Sequence, residues 1–258
     1  MAFQDKKHRA VIPGIAGGYK IKMAKILNSL SKPKISDAVM SVREIGKTFM
    51  EGGQPLHILR GGGFDLYRGE IVALVGPSGC GKSTLLQCVG LLERPTKGHI
   101  SVNGQPTHKM NEDERTRVRR RNLGFVYQRH NLLDDFSALE NVTLPMLAAG
   151  VDEDDAEIRA KKLLKMVNVL HRATHRPAEM SGGEQQRAAV ARALANDPDI
   201  ILADEPTGSL DPMHAGAVFD LLLSTARKNK MAMLFVTHDM NLAKRADRVI
   251  TIKDGIVG

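Results

Sequence analysis

GPSGCGKST, residues 76–84, satisfies the pattern G-x-x-x-x-G-K-[ST], with Gly76, Gly81, Lys82 and Ser83 at the fixed positions. The residues before it, Ile71, Val72, Ala73, Leu74 and Val75, form an apolar, β-branched run that reads as a buried strand, and residues 83–92 read as a helix. Strand, glycine loop and helix are the context this pattern needs. A polyphosphate requires several donors converging from one side. Backbone N–H groups at a helix N-terminus supply them where glycines let the chain approach closely. Pro77, Ser78, Gly79, Cys80 and Thr84 complete the cradle, Lys82 brings a cation to the outer phosphates, and the Ser83 hydroxyl is placed for Mg²⁺.

Composition sets the bounds around that loop. The 258 residues suit one large domain, or one with an inserted subdomain. Two cysteines exclude a disulfide framework, and Cys80 and Cys88 read as reduced packing residues. Aromatic content of 4%, with no Trp, offers little for stacking on single strands. No apolar run reaches the ~18 residues of a membrane span, so a membrane role is expected to run through partners. The formal charge of +8 is concentrated: residues 1–40 hold eight Lys or Arg against Asp5 and Asp37, a net of +6, which leaves +2 for the rest. A nearly neutral body with a basic tail does not make a nucleic-acid surface, and no nucleic-acid partner is expected.

Residues 1–38 lack the punctuation of the rest and read as an extension. Ile15, Tyr19, Met23, Ile26, Leu27 and Leu30 recur at helical spacing with Lys20, Lys22 and Lys25 between them. Three readings stand: a basic amphipathic helix on an anionic membrane surface, a disordered tail, or an overcalled start codon with Met40 as the true start. From residue 39 the pattern predicts strands at 39–45, 56–59, 64–66 and 100–102, the last followed by an Asn103-Gly104 turn, as a small antiparallel layer beside the nucleotide strand.

Residues 112–121 read as a charged helix and 123–127 as a strand ending at Gln128. Residues 152–170 read as a helix with an acidic start and an apolar stripe of Ile158, Leu163, Leu164, Val167 and Leu170. Residues 130 to about 195 are expected to be all helical. Ser181-Gly182-Gly183-Glu184 opens the helix at 180–194 as a capping box, Ser181 capping and Glu184 answering. Two glycines in that first turn cost roughly 1 kcal/mol each against Ala, so the pattern predicts an anion that wants bare N–H groups there.

The run IILADE, residues 200–205, reads as a buried parallel strand delivering Asp204 and Glu205 to its carboxyl end. Beside a phosphate loop, such a pair supplies one carboxylate for a Mg²⁺ shell and a second to position water. Asp211-Pro212 reads as N-cap and first position of a helix reaching about residue 228. Residues 231–236 read as the last core strand, with Thr237-His238-Asp239 at its end, and 248–253 as a final strand before an Asp254-Gly255 turn.

Taken together these residues resemble the nucleotide-binding subunit of ABC transporters over roughly residues 39–258. By that resemblance, residues 76–84 are Walker A, Gln128 is the Q-loop glutamine, and Ser181, Gly182, Gly183, Glu184 and Gln185 are the family signature. Asp204 is the Walker B aspartate, Glu205 the catalytic glutamate, Ser209-Leu210-Asp211 the D-loop and His238 the switch histidine; Phe49 is placed like the aromatic that stacks on adenine. The resemblance implies an α/β phosphate-loop NTPase (RecA-like) core with an antiparallel β subdomain and an inserted all-helical subdomain. It implies ATP and Mg²⁺ as cofactors, with Ser83, Gln128 and Asp204 around the metal and Lys82, Gln128, Glu205 and His238 in hydrolysis. It also implies a head-to-tail dimer, integral membrane partners and a peripheral place on the cytoplasmic face of the inner membrane. Residues 127–142, YQRHNLLDDFSALENV, are similar to the lipoprotein-releasing (Lol) ATPases, which share DEPTG at 204–208 with macrolide-exporter ATPases. Arg129, Asn131, Asp134, Met180 and Ser209 depart from the commonest Lol pattern. Other cargoes (drug or peptide) stay open, as does a soluble ABC ATPase of DNA repair or translation.

Overall fold

The computed structural model describes residues 38–258; the expectations for the amino-terminal extension lie outside them. In chain order the elements are β1 (Ala38–Glu51), β2 (Gln54–Gly62), β3 (Phe64–Tyr67), β4 (Ile71–Val75), α1 (Lys82–Val89), β5 (Lys97–Val102), β6 (Gln105–Pro106), α2 (Glu112–Asn122) and β7 (Leu123–Val126). Then follow α3 (Ala138–Ala148), α4 (Glu153–Met166), α5 (Gly182–Ala193), β8 (Ile200–Asp204), α6 (Pro212–Lys228), β9 (Ala232–Val236), α7 (Met240–Ala243), β10 (Arg248–Lys253) and β11 (Ile256–Val257).

Five strands run parallel in the order β10, β4, β9, β8, β7. Their continuous apolar sequence follows from burial on both faces. Ile71 and Ala73 of β4 point into one core with Leu164, Val190 and Phe219, while Val72 and Leu74 point into another with Leu85, Val42 and Leu66. β8 and β9 divide in the same way: Ile201 and Phe235 face the first core, Leu202 and Leu234 the second. Because the strands are parallel, their carboxyl ends, and so the loop at 76–81, Gln128, Glu205 and His238, share one edge.

The antiparallel layer is built on β1, which pairs with β2, β3 and β5. It joins the parallel strands through β11, antiparallel to β10 and parallel to β2. A Cβ at Gly62 would sit 2.0 Å from the Val257 carbonyl oxygen, so this junction requires a glycine.

Three sequence expectations shift. The helix predicted over 83–92 stops at Val89: a Cβ on Gly90 would meet the Phe125 ring at 2.6 Å, and Leu91 turns the chain with φ +58°. The helix predicted over 152–170 ends at Met166, and its buried stripe is Ala156, Ala160, Leu163 and Leu164. Of the expected stripe, Leu163, Leu164 and Val167 are buried, whereas Ile158 is 53% exposed and Leu170, 38% exposed, lies beyond the helix end. Between β7 and β8 lie α3, α4 and α5, with short 3₁₀ turns at Leu170–Arg172 and Pro177–Glu179.

Candidate functional site

The residues from 76 to 84 wrap the amino end of α1. Gly76 is fixed by close approach, since a Cβ there would lie 2.6 Å from the Ile252 carbonyl oxygen. Gly79 (φ +75°) and Gly81 (φ +101°) adopt left-handed backbone. Gly81 caps α1 with no side chain bonded to the cap and no acid in the first turn, which leaves the helix dipole open to an anion. Lys82 Nζ donates back to the carbonyls of Gly76 at 2.9 Å and Pro77 at 2.8 Å, so the ammonium is held over the loop it serves. Phe49 pairs with Leu56 on β2. Phe49 is 36% exposed, with the Lys47 ammonium 4.6 Å from its ring centre.

Behind the loop, the Ser83 hydroxyl lies beside the Asp204 carboxyl. Burial, and then the neighbouring Glu205 charge, push the Asp204 carboxyl above the usual range, against the pull of Ser83 and Lys82. A hydroxyl and a carboxylate side by side are oxygen donors of the kind that a hard divalent cation takes. Glu205 has φ +43°, an unfavourable left-handed backbone held by its N–H to the Val236 carbonyl at 3.1 Å and by the Gly208 N–H on its own carbonyl at 2.9 Å. Its Oε2 lies 3.0 Å from His238 Nδ1. Gln128 comes to the same place from β7: a Cβ on Gly208 would sit 3.0 Å from Gln128 Nε2 and 3.2 Å from Glu205 Oε2. Ser83, Asp204, Glu205, Gln128 and His238 therefore converge from four strand ends.

Ser181, Gly182, Gly183 and Glu184 form the expected capping box. Ser181 Oγ accepts from Glu184 N at 3.3 Å, and Glu184 Oε2 accepts from Ser181 N at 2.8 Å and Ser181 Oγ at 3.0 Å. Arg172 donates through Nε to Glu184 Oε1 at 2.8 Å. The Arg172 bond, then the Ser181 N–H, hold the Glu184 carboxyl down at about 2. The two glycines separate here. A Cβ on Gly183 would meet the half-exposed His214 ring at 3.3 Å; Gly182 has only Leu210 within 4 Å, at 3.8 Å, and no atom of the 76–84 loop. Asp211 caps the start of α6, accepting from His214 N at 3.2 Å and lying 2.7 Å from His214 Nδ1.

Residues that the sequence reading passed over hold this edge together. Gly208 makes room for Gln128 and Glu205. Buried Asn141 ties residues 133–137 to α3, donating to the carbonyls of Leu133, Phe136 and Ser137 and accepting from Leu133 N. Its presence in the Lol-like stretch was the available signal. Nothing in the pattern marked Gln186, whose amide is buried beside Tyr127 and Pro206.

A parallel sheet with this loop and these carboxylates at its carboxyl edge defines a phosphate-loop nucleotide-binding domain. The ABC transporter family model matches residues 59–208. The chain is 49% identical over 221 residues (86% of it, 97% of the relative) to the lipoprotein-releasing system ATP-binding protein LolD 2 of Caulobacter vibrioides. It is 50% identical, over 86% and 84% of its length, to the LolD proteins of Novosphingobium aromaticivorans and Paramagnetospirillum magneticum, covering 100% and 96% of them. Among solved structures it matches the ATP-binding cassette MJ0796, dimeric and bound to ADP and Pi after hydrolysis, with TM-score 0.78 and 38% identity over 84% of this chain and 96% of that one. The chain belongs to the ABC transporter family as an ATP-hydrolysing cassette. Among the described residues no helix is long and apolar enough to cross a membrane.

Proposed function

We propose that the chain is the ATPase subunit of a lipoprotein-releasing transporter, peripheral on the cytoplasmic face of the inner membrane and driving integral membrane partners. The observation that carries this reading is the identity of about one residue in two along nearly the full length of three LolD proteins. A drug or peptide exporter is the alternative cargo reading.

The site supports a division of labour. The open N–H groups of residues 79–84 and Lys82 bind the β- and γ-phosphates, and Phe49 covers the adenine. Ser83 and Asp204, with Gln128, would hold Mg²⁺, which when bound neutralises phosphate charge during transfer. Glu205 orients water and accepts its proton. His238, bonded to Glu205, holds that carboxylate and reaches the γ-phosphate, while Gln128 reports the site to the helical insertion of about residues 130–195 within the domain at 39–258.

Two copies pair head to tail, each presenting Ser181, Gly182, Gly183 and Glu184, with Asp211 nearby, to the nucleotide on the other copy. Gly182 supports this: nothing within its own chain forbids a side chain there, so the need for bare backbone comes from outside. The test combines Ser181→Ala in one protomer with Lys82→Ala in the other. One intact composite site should survive per mixed dimer, with about half the parental turnover at most; a mixture without any turnover would sink the shared sites. Lipoprotein release from proteoliposomes holding the membrane partners decides the cargo.

A further inference from the structure

Gln186 lies one turn beyond the Ser181 cap, inside α5, and is 1% exposed. Its Nε2 donates to two main-chain carbonyls, that of Tyr127 at 2.9 Å and that of Pro206 at 2.8 Å. Tyr127 precedes Gln128, and Pro206 follows Glu205. One buried amide thus spans the ends of β7 and β8 at the residues flanking Gln128, assigned to Mg²⁺, and Glu205, assigned to the attacking water.

The same stretch is gripped elsewhere. Arg192, also on α5, donates through Nη2 to the His130 carbonyl at 2.8 Å and through Nη1 to that of Asn131. Ser209 Oγ donates to the Gln128 carbonyl at 2.6 Å. The backbone on both sides of Gln128 is therefore bonded to α5, and its middle to the loop after β8. A buried carbonyl without a donor is costly, and the Gln186 amide answers two at once without bringing a charge into the interior.

We infer that Gln186 is a positioning residue for ATP hydrolysis: by bridging the Tyr127 and Pro206 carbonyls it fixes the separation of Gln128 from Glu205, so that any displacement of α5 moves that pair. This rests on the functional reading above, in which Gln128 would help hold Mg²⁺ and Glu205 acts on water. From Gly182 to Gln186 is four residues of rigid helix, ~6 Å along its axis, so movement at the signature end reaches the amide without loss.

The test uses the full chain carrying Gln186→Met, which keeps size and removes the donor, and separately Ser209→Ala, an exposed change with no burden on folding. Steady-state ATPase, binding of a fluorescent ATP analogue and thermal melting are measured on each. Gln186→Met should lower kcat by about ten- to a hundredfold with KM and nucleotide affinity within about threefold, and Ser209→Ala should lower kcat a few-fold in the same pattern. The three tyrosines, Tyr19, Tyr67 and Tyr127, give a spectroscopic check by fluorotyrosine labelling. The Tyr127 resonance should respond to ATP in the parental chain and lose that response in Gln186→Met.

Parental kcat in both variants overturns the assignment, as does a fall in nucleotide affinity matching the fall in kcat. If Gln186→Met melts below the assay temperature, Ser209→Ala decides alone, and a parental kcat there is fatal. A parental chain that binds ATP without hydrolysing it removes the functional reading instead, and this inference with it.

Discussion

His238 Nδ1 stands 3.0 Å from Glu205 Oε2, joining the ends of β9 and β8 across the carboxyl edge of the sheet. The histidine is exposed while the glutamate is largely covered, so the imidazole forms the outer wall of the carboxylate's niche. Glu205→Gln keeps the shape and abolishes the base; it should cut turnover by at least about a hundredfold while nucleotide binding and an ATP-held dimer persist. His238→Ala should cut kcat comparably, because the carboxylate loses its orienting partner. Phosphate release and gel filtration with ATP measure both, and parental turnover by Glu205→Gln would end its assignment as the group that handles water.

Gly208 predicts a different kind of loss. An added methyl would sit 3.0 Å from Gln128 Nε2 and 3.2 Å from Glu205 Oε2, the free ends of two side chains that can swing aside. Gly208→Ala should therefore fold with nearly parental stability yet lose about tenfold or more in kcat, since displacement of reacting groups by a fraction of an ångström is expensive. A variant with unchanged kcat would mean that Gln128 and Glu205 do not need their present spacing.

The strand-loop-helix at 71–89 was legible in the sequence because local chemistry dictates it: the apolar run needs two covered faces, and the glycines need close approach or left-handed backbone. The same holds for the box at Ser181 and Glu184, whose partners lie three residues apart. What escaped depended on distant chain segments. Gly208 is constrained by Gln128, eighty residues away, and Gln186 by Tyr127, fifty-nine away. Helix α2 reads as a solvated charged face, and no periodicity reveals that one of its arginines is interior. A Cβ on Gly183 would press on the half-exposed His214 ring at 3.3 Å, whereas Gly182 has only Leu210 near it, a difference that depends on a residue thirty-one positions on.

Acid should loosen the start of α5. The Arg172 bond and the Ser181 N–H depress the Glu184 pKa to about 2, so ionised Glu184 favours the folded cap. That contribution is complete above the ordinary carboxylate pKa near 4.5 and is lost as pH falls from there toward 2. Arg172→Gln removes the larger cause and should raise the acid-unfolding midpoint by about half a pH unit, with the Glu184 carboxyl titrating correspondingly higher in carbon NMR. An unmoved midpoint and an unmoved titration would show the pairing to be without effect.

Arg115 supplies the last test, one of stability alone. It is 2% exposed, and its Nη2 donates to the carbonyls of Leu91 at 3.0 Å and Glu93 at 3.2 Å, with Glu112 at 3.6 Å from its Nε. Leu91 occupies left-handed backbone just past α1, so this guanidinium fastens the turn that ends the helix of the phosphate loop. Arg115→Met keeps much of the packing but leaves the Glu93 carbonyl without that donor, whereas Leu91 retains Arg119 at 2.8 Å. The variant should lose about 2 kcal/mol in urea unfolding, and Arg115→Lys should recover only part of it, since an ammonium can replace the one nitrogen that reaches both carbonyls but not the planar guanidinium buried around it. Nucleotide affinity should fall only slightly, because α1 stays anchored by buried Leu85, Leu86 and Val89; a large loss of affinity without loss of stability would assign Arg115 to the binding site instead.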